Sequence, residues 1–271
     1  MNAVNAASAV SPLNASSKQT PAVPSARALP VVYSMHWNNI SELILASQKG
    51  VFEALEIQLI QENADKMSHG KWMNEVVERH QPEDVLVFCD IDAFPLSRAA
   101  YARAVASARS GAVFGLAQFS NHKGTQDLYA GPMFMAFKKS TWEQLGRPSL
   151  ERSKAFDAAE AISVQARKMA SGLDLVRPTS CLIPKWALAD QGIFGIGTFY
   201  GECEFFHLFE SRLPAHEQLF QTVAADVIAG RKLDFSAYLG LTQSLHSAGG
   251  QGQPQKSRGL KRVLSWLTPS S

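Results

Sequence analysis

The chain has 271 residues, 46% of them hydrophobic, which is enough for one large domain or two small ones with a substantial core and excludes a disordered protein. Its formal net charge is only +2, and the basic residues gather at the ends: Lys18 and Arg27 before residue 30, and Lys256, Arg258, Lys261 and Arg262 near the C-terminus, with no acid in either stretch. The middle is mildly acidic, which argues against a nucleic-acid partner, because such a surface concentrates basic charge.

Residues 1 to 29, rich in Ala, Ser, Asn and Pro and lacking periodicity, read as a flexible leader outside the fold. Pro30 to Ser34 forms a first short strand. Residues 39 to 49 then form a helix with Ile40, Leu43 and Ile44 on one face, followed by a strand over Leu55 to Ile60 that ends at Gln61-Glu62-Asn63. Trp72, Met73, Val76 and Val77 group at helical spacing in residues 71 to 80, and Gln81-Pro82-Glu83 makes a turn. The apolar run Val85 to Cys89 comes next and ends in Asp90-Ile91-Asp92. Ser97 caps an Ala-rich helix to about Arg109, and Gly111 to Leu116 is another strand. Tyr129 to Phe137 reads as a loop entering a strand. Residues 151 to 171 should be helical, because Phe156, Ala159, Ile162, Ser163 and Ala166 recur three or four apart. Gly192 to Gly201 is a glycine-punctuated loop, expected to act as a flexible lid. Phe205 to Arg212 is an apolar strand interrupted by one imidazole, His207.

Strands alternating with helices predict an α/β domain over residues 30 to 245, with a mostly parallel central sheet flanked by helices and a Rossmann-like nucleotide-binding half. Within it, Asp90 and Asp92 leave the end of a buried strand, the edge at which α/β folds bind ligands. Hard oxygen donors suit Mn²⁺ or Mg²⁺ carrying a substrate's phosphates. The other reading of the triplet is a polar strand end before a Pro-terminated turn.

Cys89, Cys181 and Cys203 are odd in number and widely spaced, so they read as reduced, buried thiols of a cytoplasmic-side protein. No stretch approaches a membrane-spanning length. After the Gly- and Gln-rich residues that follow 245, Leu260, Val263, Leu264 and Leu267 recur at i, i+3, i+4 and i+7 with Trp266 beside them and the basic residues largely opposite. Residues 256 to 267 are therefore expected either to rest peripherally on the inner face of an anionic membrane or to dock on the domain itself.

The order of these features, from about Pro30 to about Gly230, resembles the nucleotide-diphospho-sugar transferase superfamily, the GT-A type of glycosyltransferase. The likeness rests on the opening βαβ, the Asp-x-Asp after an internal strand, the Tyr-Ala-Gly-Pro-Met-Phe segment from Tyr129 and the late His207. It implies a metal-dependent transfer of sugar from a nucleotide-diphospho-sugar donor to a glycan or glycolipid acceptor. The metal would lie on Asp92 and His207, with Asp90 reaching the ribose or a water on the metal. The donor would meet Ser34, Met35 and His36, the strand end at Glu62 and Asn63, then His69, Lys71 and Asn74, as well as Ile91 of the triplet, Tyr129 and Gly131. Asp190, with Gln191, resembles the Asp-Gln pair of several families at the reacting centre, as general base or as an orienting group. Asp157 and Glu160 compete for that role. A haloacid-dehalogenase-type phosphatase also places Asp-x-Asp after a strand, but normally after the first strand and with Thr or Val where this chain has Phe94. A non-catalytic relative that binds a nucleotide sugar or glycan fits the same features.

Overall fold

Serines open three of the first helices in the computed structural model, which describes residues 29–120, 127–188 and 192–249. β1 (Val32–His36) leads to α1 (Glu42–Ala54), where the Ser41 hydroxyl accepts the Ile44 amide. β2 (Leu59–Asn63) and α2 (His69–Glu78) follow, with Ser68 accepting from Lys71. Then come β3 (Val85–Cys89), β4 (Ala93–Pro95) and α3 (Arg98–Arg109), the last capped by Ser97 through the Ala100 amide. The second half runs β5 (Val113–Phe119), β6 (Leu128–Lys138), α4 (Lys139–Gln144), α5 (Glu160–Lys168), β7 (Leu173–Val176), β8 (Pro178–Cys181), β9 (Pro184–Ala187), β10 (Ile193–Gly195), β11 (Gly197–Tyr200), β12 (Phe205–Leu208), α6 (Pro214–Ile228) and α7 (Phe235–Gly249).

The central sheet has the order β2-β1-β3-β6-β5-β7, and only β6 runs against the rest. It is the mostly parallel α/β sheet expected from the alternation of strands and helices. Both faces are covered, and β3 shows why its sequence is apolar throughout: Val87 and Cys89 face a core with α1, α3 and α6, whereas Leu86 and Phe88 face a second core with α2, α4 and α5. A second, antiparallel sheet of order β4-β12-β11-β8 stands beyond the end of β3. It carries the chain away from the triplet and returns His207 to it.

Several expectations are corrected. The stripe Ile44, Gln48, Val51 and Phe52 keeps α1 helical to Ala54, so β2 starts only at Leu59, and Leu43 faces solvent at 54% exposure. Helix α5 is confined to Glu160–Lys168, because the Ser153 hydroxyl collects the Ala155 and Phe156 amides in a turn and Ala159 takes a left-handed φ of 60°. Tyr129 begins no loop but lies within the buried strand β6. The described part of the glycine-rich segment is largely sheet, with β10 so close to the backbone entering β9 that a Cβ at Gly195 would lie 1.8 Å from the Ile183 carbonyl oxygen. Gly195 permits close approach of two backbones, which a mobile lid would not require. Of the cysteines only Cys89 is buried; Cys181 is half-buried and Cys203 exposed, all three as free thiols. The leader before Leu29 and the amphipathic stretch near residues 260 to 267 lie outside the described residues. Among the described residues no helix is long and apolar enough to cross a membrane.

Candidate functional site

Asp90, Ile91 and Asp92 form a turn between β3 and β4, closed by the Ala93 amide donating to the Asp90 carbonyl at 3.1 Å. The backbone of this turn is tied down on two sides: the Asp90 amide donates to Met133 O of β6 at 3.0 Å, and the Leu208 amide of β12 donates to Asp92 O at 2.9 Å. Pairing of β12 with β4 sets Phe206 opposite Phe94 and His207 opposite Ala93, next to the second aspartate. As a result one carboxylate oxygen each of Asp90 and Asp92 and one ring nitrogen of His207 lie within 4.8 Å of one another. His207 Nε2 is 3.5 Å from Asp92 Oδ1.

The first aspartate has an imidazole of its own. His69, at the start of α2, places Nδ1 3.3 Å from Asp90 Oδ1 and stacks on Trp72 at 5.7 Å between ring centroids. Burial pushes the Asp90 carboxyl above the usual carboxylate range; His69 and His207 oppose that shift, and the Asp92 charge adds to it. Two carboxylates so placed repel each other unless a proton or a cation comes between them. Two oxygen donors and one imidazole are a donor set that fits Mn²⁺ or Mg²⁺. His207 Nδ1 and His69 Nε2 are buried without a hydrogen-bond partner, so stability alone does not account for imidazoles here.

Two clefts meet at the triplet. One, of about 230 Å³, is lined by His36, Trp37, His69, Asp90, Asp92 and Arg212 among others. The other, of about 530 Å³, lies between Asp92, Lys185, Glu210, Ser211, Arg212 and Leu213, and Lys185 is ion-paired with Glu210. Arg212 borders both, its guanidinium 5.7 Å over the Trp37 ring and without a carboxylate partner among the described residues. A larger opening than the first, lined by Tyr33, His80, Asp84 and Arg109, sits at the opposite ends of β1 and β3, away from this chemistry.

The remaining candidates divide by position. Parallel pairing lays Ser34, Met35 and His36 beside Gln61, Glu62 and Asn63. Met35, His36 and Ile91 line the first cleft, while Ser34 is fully buried with its hydroxyl unpartnered. Glu62 is engaged by Trp72 Nε1 and Arg79 Nη1, both at 2.8 Å, and Asn63 by Asn38. Lys71 is exposed on α2, and Asn74 accepts the Leu150 amide at 2.9 Å, pinning the loop between α4 and α5. Because β6 runs antiparallel to β3, with Phe134 opposite Cys89, its first residues extend past the triplet, carrying Tyr129 and Gly131. A Cβ at Gly131 would lie 2.5 Å from Met133 Sδ and 2.7 Å from Gln118 Oε1. Tyr129 bonds Asp157, which also accepts from Ser120 Oγ at 3.0 Å and lies 3.6 Å from Arg152 Nε. Glu160 accepts the Asp157 amide at 2.7 Å as a first-turn cap. Asp190 and Gln191 lie outside the described residues.

Sequence reasoning missed Gln48 and Arg212. The signal for Gln48 was an amide on the otherwise apolar stripe of α1; Arg212 carried none, since its role depends on two clefts that the sequence does not draw.

No family model and no curated protein matches the chain. Among solved structures, a mannosyltransferase from Pyrobaculum calidifontis, in complex with GDP-Man and Mn²⁺, is similar over 88% of this chain and 79% of its own, at 11% identity and a TM-score of 0.41.

Proposed function

We propose that this chain is a glycosyltransferase that moves a sugar from a nucleotide-diphospho-sugar donor to a glycan or glycolipid acceptor, with Mn²⁺ or Mg²⁺ held by Asp90, Asp92 and His207. The observation that carries the reading is the convergence of two carboxylates from the β3–β4 turn and a late imidazole from β12, at the end of β3 where two clefts meet. When bound, the cation would supply Lewis-acid stabilisation of charge on the departing nucleoside diphosphate. Everything else falls to the chain's own groups.

In this reading the first cleft takes the nucleotide, with His36, Ile91 and the ends of β1 and β2 near base and ribose, and Asp90 turned to the ribose by His69. Arg212, stacked on Trp37 and open to both clefts, meets the diphosphate, for which a planar cation is suited. The second cleft then takes the sugar and acceptor. Asp157 and Glu160 are committed to Tyr129, Ser120, Arg152 and a helix start, which leaves Asp190 as the first candidate for base or orienting group.

The test is a thermal-shift screen of nucleoside diphosphates with and without Mn²⁺, repeated on Asp92→Ala, together with release of nucleoside diphosphate from a panel of nucleotide sugars. A metal-dependent shift confined to the wild-type protein, with slow hydrolysis of one donor, is expected. A shift that survives Asp92→Ala would remove Asp92 as a ligand, and neither shift nor turnover across the panel would overturn the enzyme reading.

A further inference from the structure

Gln48 sits in the middle of α1, on the stripe of Ile44, Val51 and Phe52, and is fully buried. A primary amide carried into a core is unfavourable unless its donors and acceptor are satisfied. Here the partners are specific. Its Nε2 donates to Asp90 O at 2.7 Å and to Ala93 O at 2.9 Å, and its Oε1 accepts from Gln61 Nε2 at 2.9 Å. Gln61, on β2, gives its other N–H to Leu45 O at 3.1 Å, so a second element sets the direction of the Gln48 amide.

The two carbonyls that receive Gln48 belong to the first and last residues of the turn that presents Asp90 and Asp92. With the Asp90 amide on β6 and the Asp92 carbonyl on β12, the Gln48 contacts supply the third side of its support. A backbone held on three sides fixes the positions from which the two carboxylates project, which is the condition for a preorganised ligand pair.

We infer that Gln48, oriented by Gln61, is a positioning residue that brackets the Asp90 to Ala93 turn so that the two carboxylates converge with His207; as a metal-site role this rests on the reading given above. The bracket also joins the turn to β2, the strand whose end lies beside the first cleft. Gln48 touches neither donor nor cation and acts through the turn alone.

The test uses the full chain with Gln48→Met, which keeps the shape and removes both donors, and Gln61→Met, which keeps the donors and frees their orientation. Two quantities are read: the Mn²⁺ dissociation constant, from free Mn²⁺ by electron paramagnetic resonance, and amide hydrogen exchange of the segment from Cys89 to Phe94. Gln48→Met is expected to weaken Mn²⁺ binding about ten-fold and to speed exchange of the turn by a similar factor, with exchange in β5 and β6 unchanged. Gln61→Met should move both in the same direction by about three-fold. A folded Gln48→Met with wild-type affinity and wild-type exchange overturns the inference. Should that variant fail to fold, wild-type affinity and exchange in Gln61→Met overturn it instead. If the wild-type protein binds no Mn²⁺ while Gln48→Met still frees the turn, the metal reading fails and the bracket stands.

Discussion

Gly50→Ala and Gly70→Ala make the same chemical change in two helices and are expected to act with opposite sign. An alanine gains up to about 1 kcal/mol over glycine in a helix, so each change begins with a stabilising contribution. At Gly50 the new Cβ would meet only the Ile228 side chain, its Cδ1 at 3.0 Å and Cγ1 at 3.9 Å, and that side chain is 46% exposed and can rotate away. The propensity gain survives, and Gly50→Ala should stabilise by about 0.5–1 kcal/mol. At Gly70 the Cβ would lie 2.2 Å from Leu150 O and 2.4 Å from Glu151 Cα, both backbone atoms. That loop cannot retreat freely: Asn74 holds the Leu150 amide, the Ala159 amide holds Leu150 O, and Ser68 holds Glu151. Overpacking of this kind costs about 1–3 kcal/mol, and each hydrogen bond loosened adds about 1 kcal/mol, so Gly70→Ala should destabilise by roughly 2–3 kcal/mol net. Equilibrium unfolding in urea measures both. In thermal unfolding the pair should split, one rising by about 1–4 °C and the other falling by about 4–10 °C. Because Gly70 follows His69, its displacement should also disturb the Asp90 contact and lower Mn²⁺ affinity more than Gly50→Ala does. A Gly70→Ala protein at least as stable as wild type would refute the argument from close backbone approach.

His207→Ala should weaken Mn²⁺ binding about ten-fold or more while the protein stays folded, and an unchanged titration would remove His207 from the ligand set. Arg212→Ala is expected to weaken nucleoside diphosphate binding by about ten-fold, the loss of a charge-assisted hydrogen bond, and to leave the free nucleoside unaffected; calorimetry separates the two. All five tyrosines have raised pKa values with burial as the leading cause, and Tyr129 and Tyr200 are nearly or wholly enclosed. The unfolded chain then gives up these protons first. Stability present below about pH 10 should therefore fall as pH rises further, by about 1.4 kcal/mol per unit for each fully buried phenol, and phenolate absorbance should appear together with unfolding. Phenolate formation at Tyr129 or Tyr200 in the folded protein near pH 10 would contradict this. Alkylation should reach Cys203 first, Cys181 next and Cys89 only on unfolding, as peptide mapping over a time course would show.

Period and capping made much of the architecture legible in the sequence. Ser97 marked a helix start, whereas Ser41 and Ser68, which cap α1 and α2, went unread, and the unbroken apolar run of β3 announced a strand buried on both faces. Boundaries failed where local chemistry competed with periodicity. The Ser153 turn and the left-handed Ala159 postponed α5, and Gly195, within the stretch that read as a flexible lid, serves close packing of β10 on the Ile183 backbone.

By itself the sequence determined that two acids leave the end of a buried strand and that an imidazole interrupts a late apolar segment, because both follow from residue type and spacing along one element. It could not decide that they meet. The β4 and β12 register, which sets Ala93 opposite His207, depends on side chains far apart in the chain, namely Phe94, Phe206 and Phe220 packing together. The same holds for Gln48, whose carbonyl partners on Asp90 and Ala93 lie more than forty residues away. Hydrogen bonds and packing between distant segments carry no periodic signal, so only the tertiary structure could assemble the site from them.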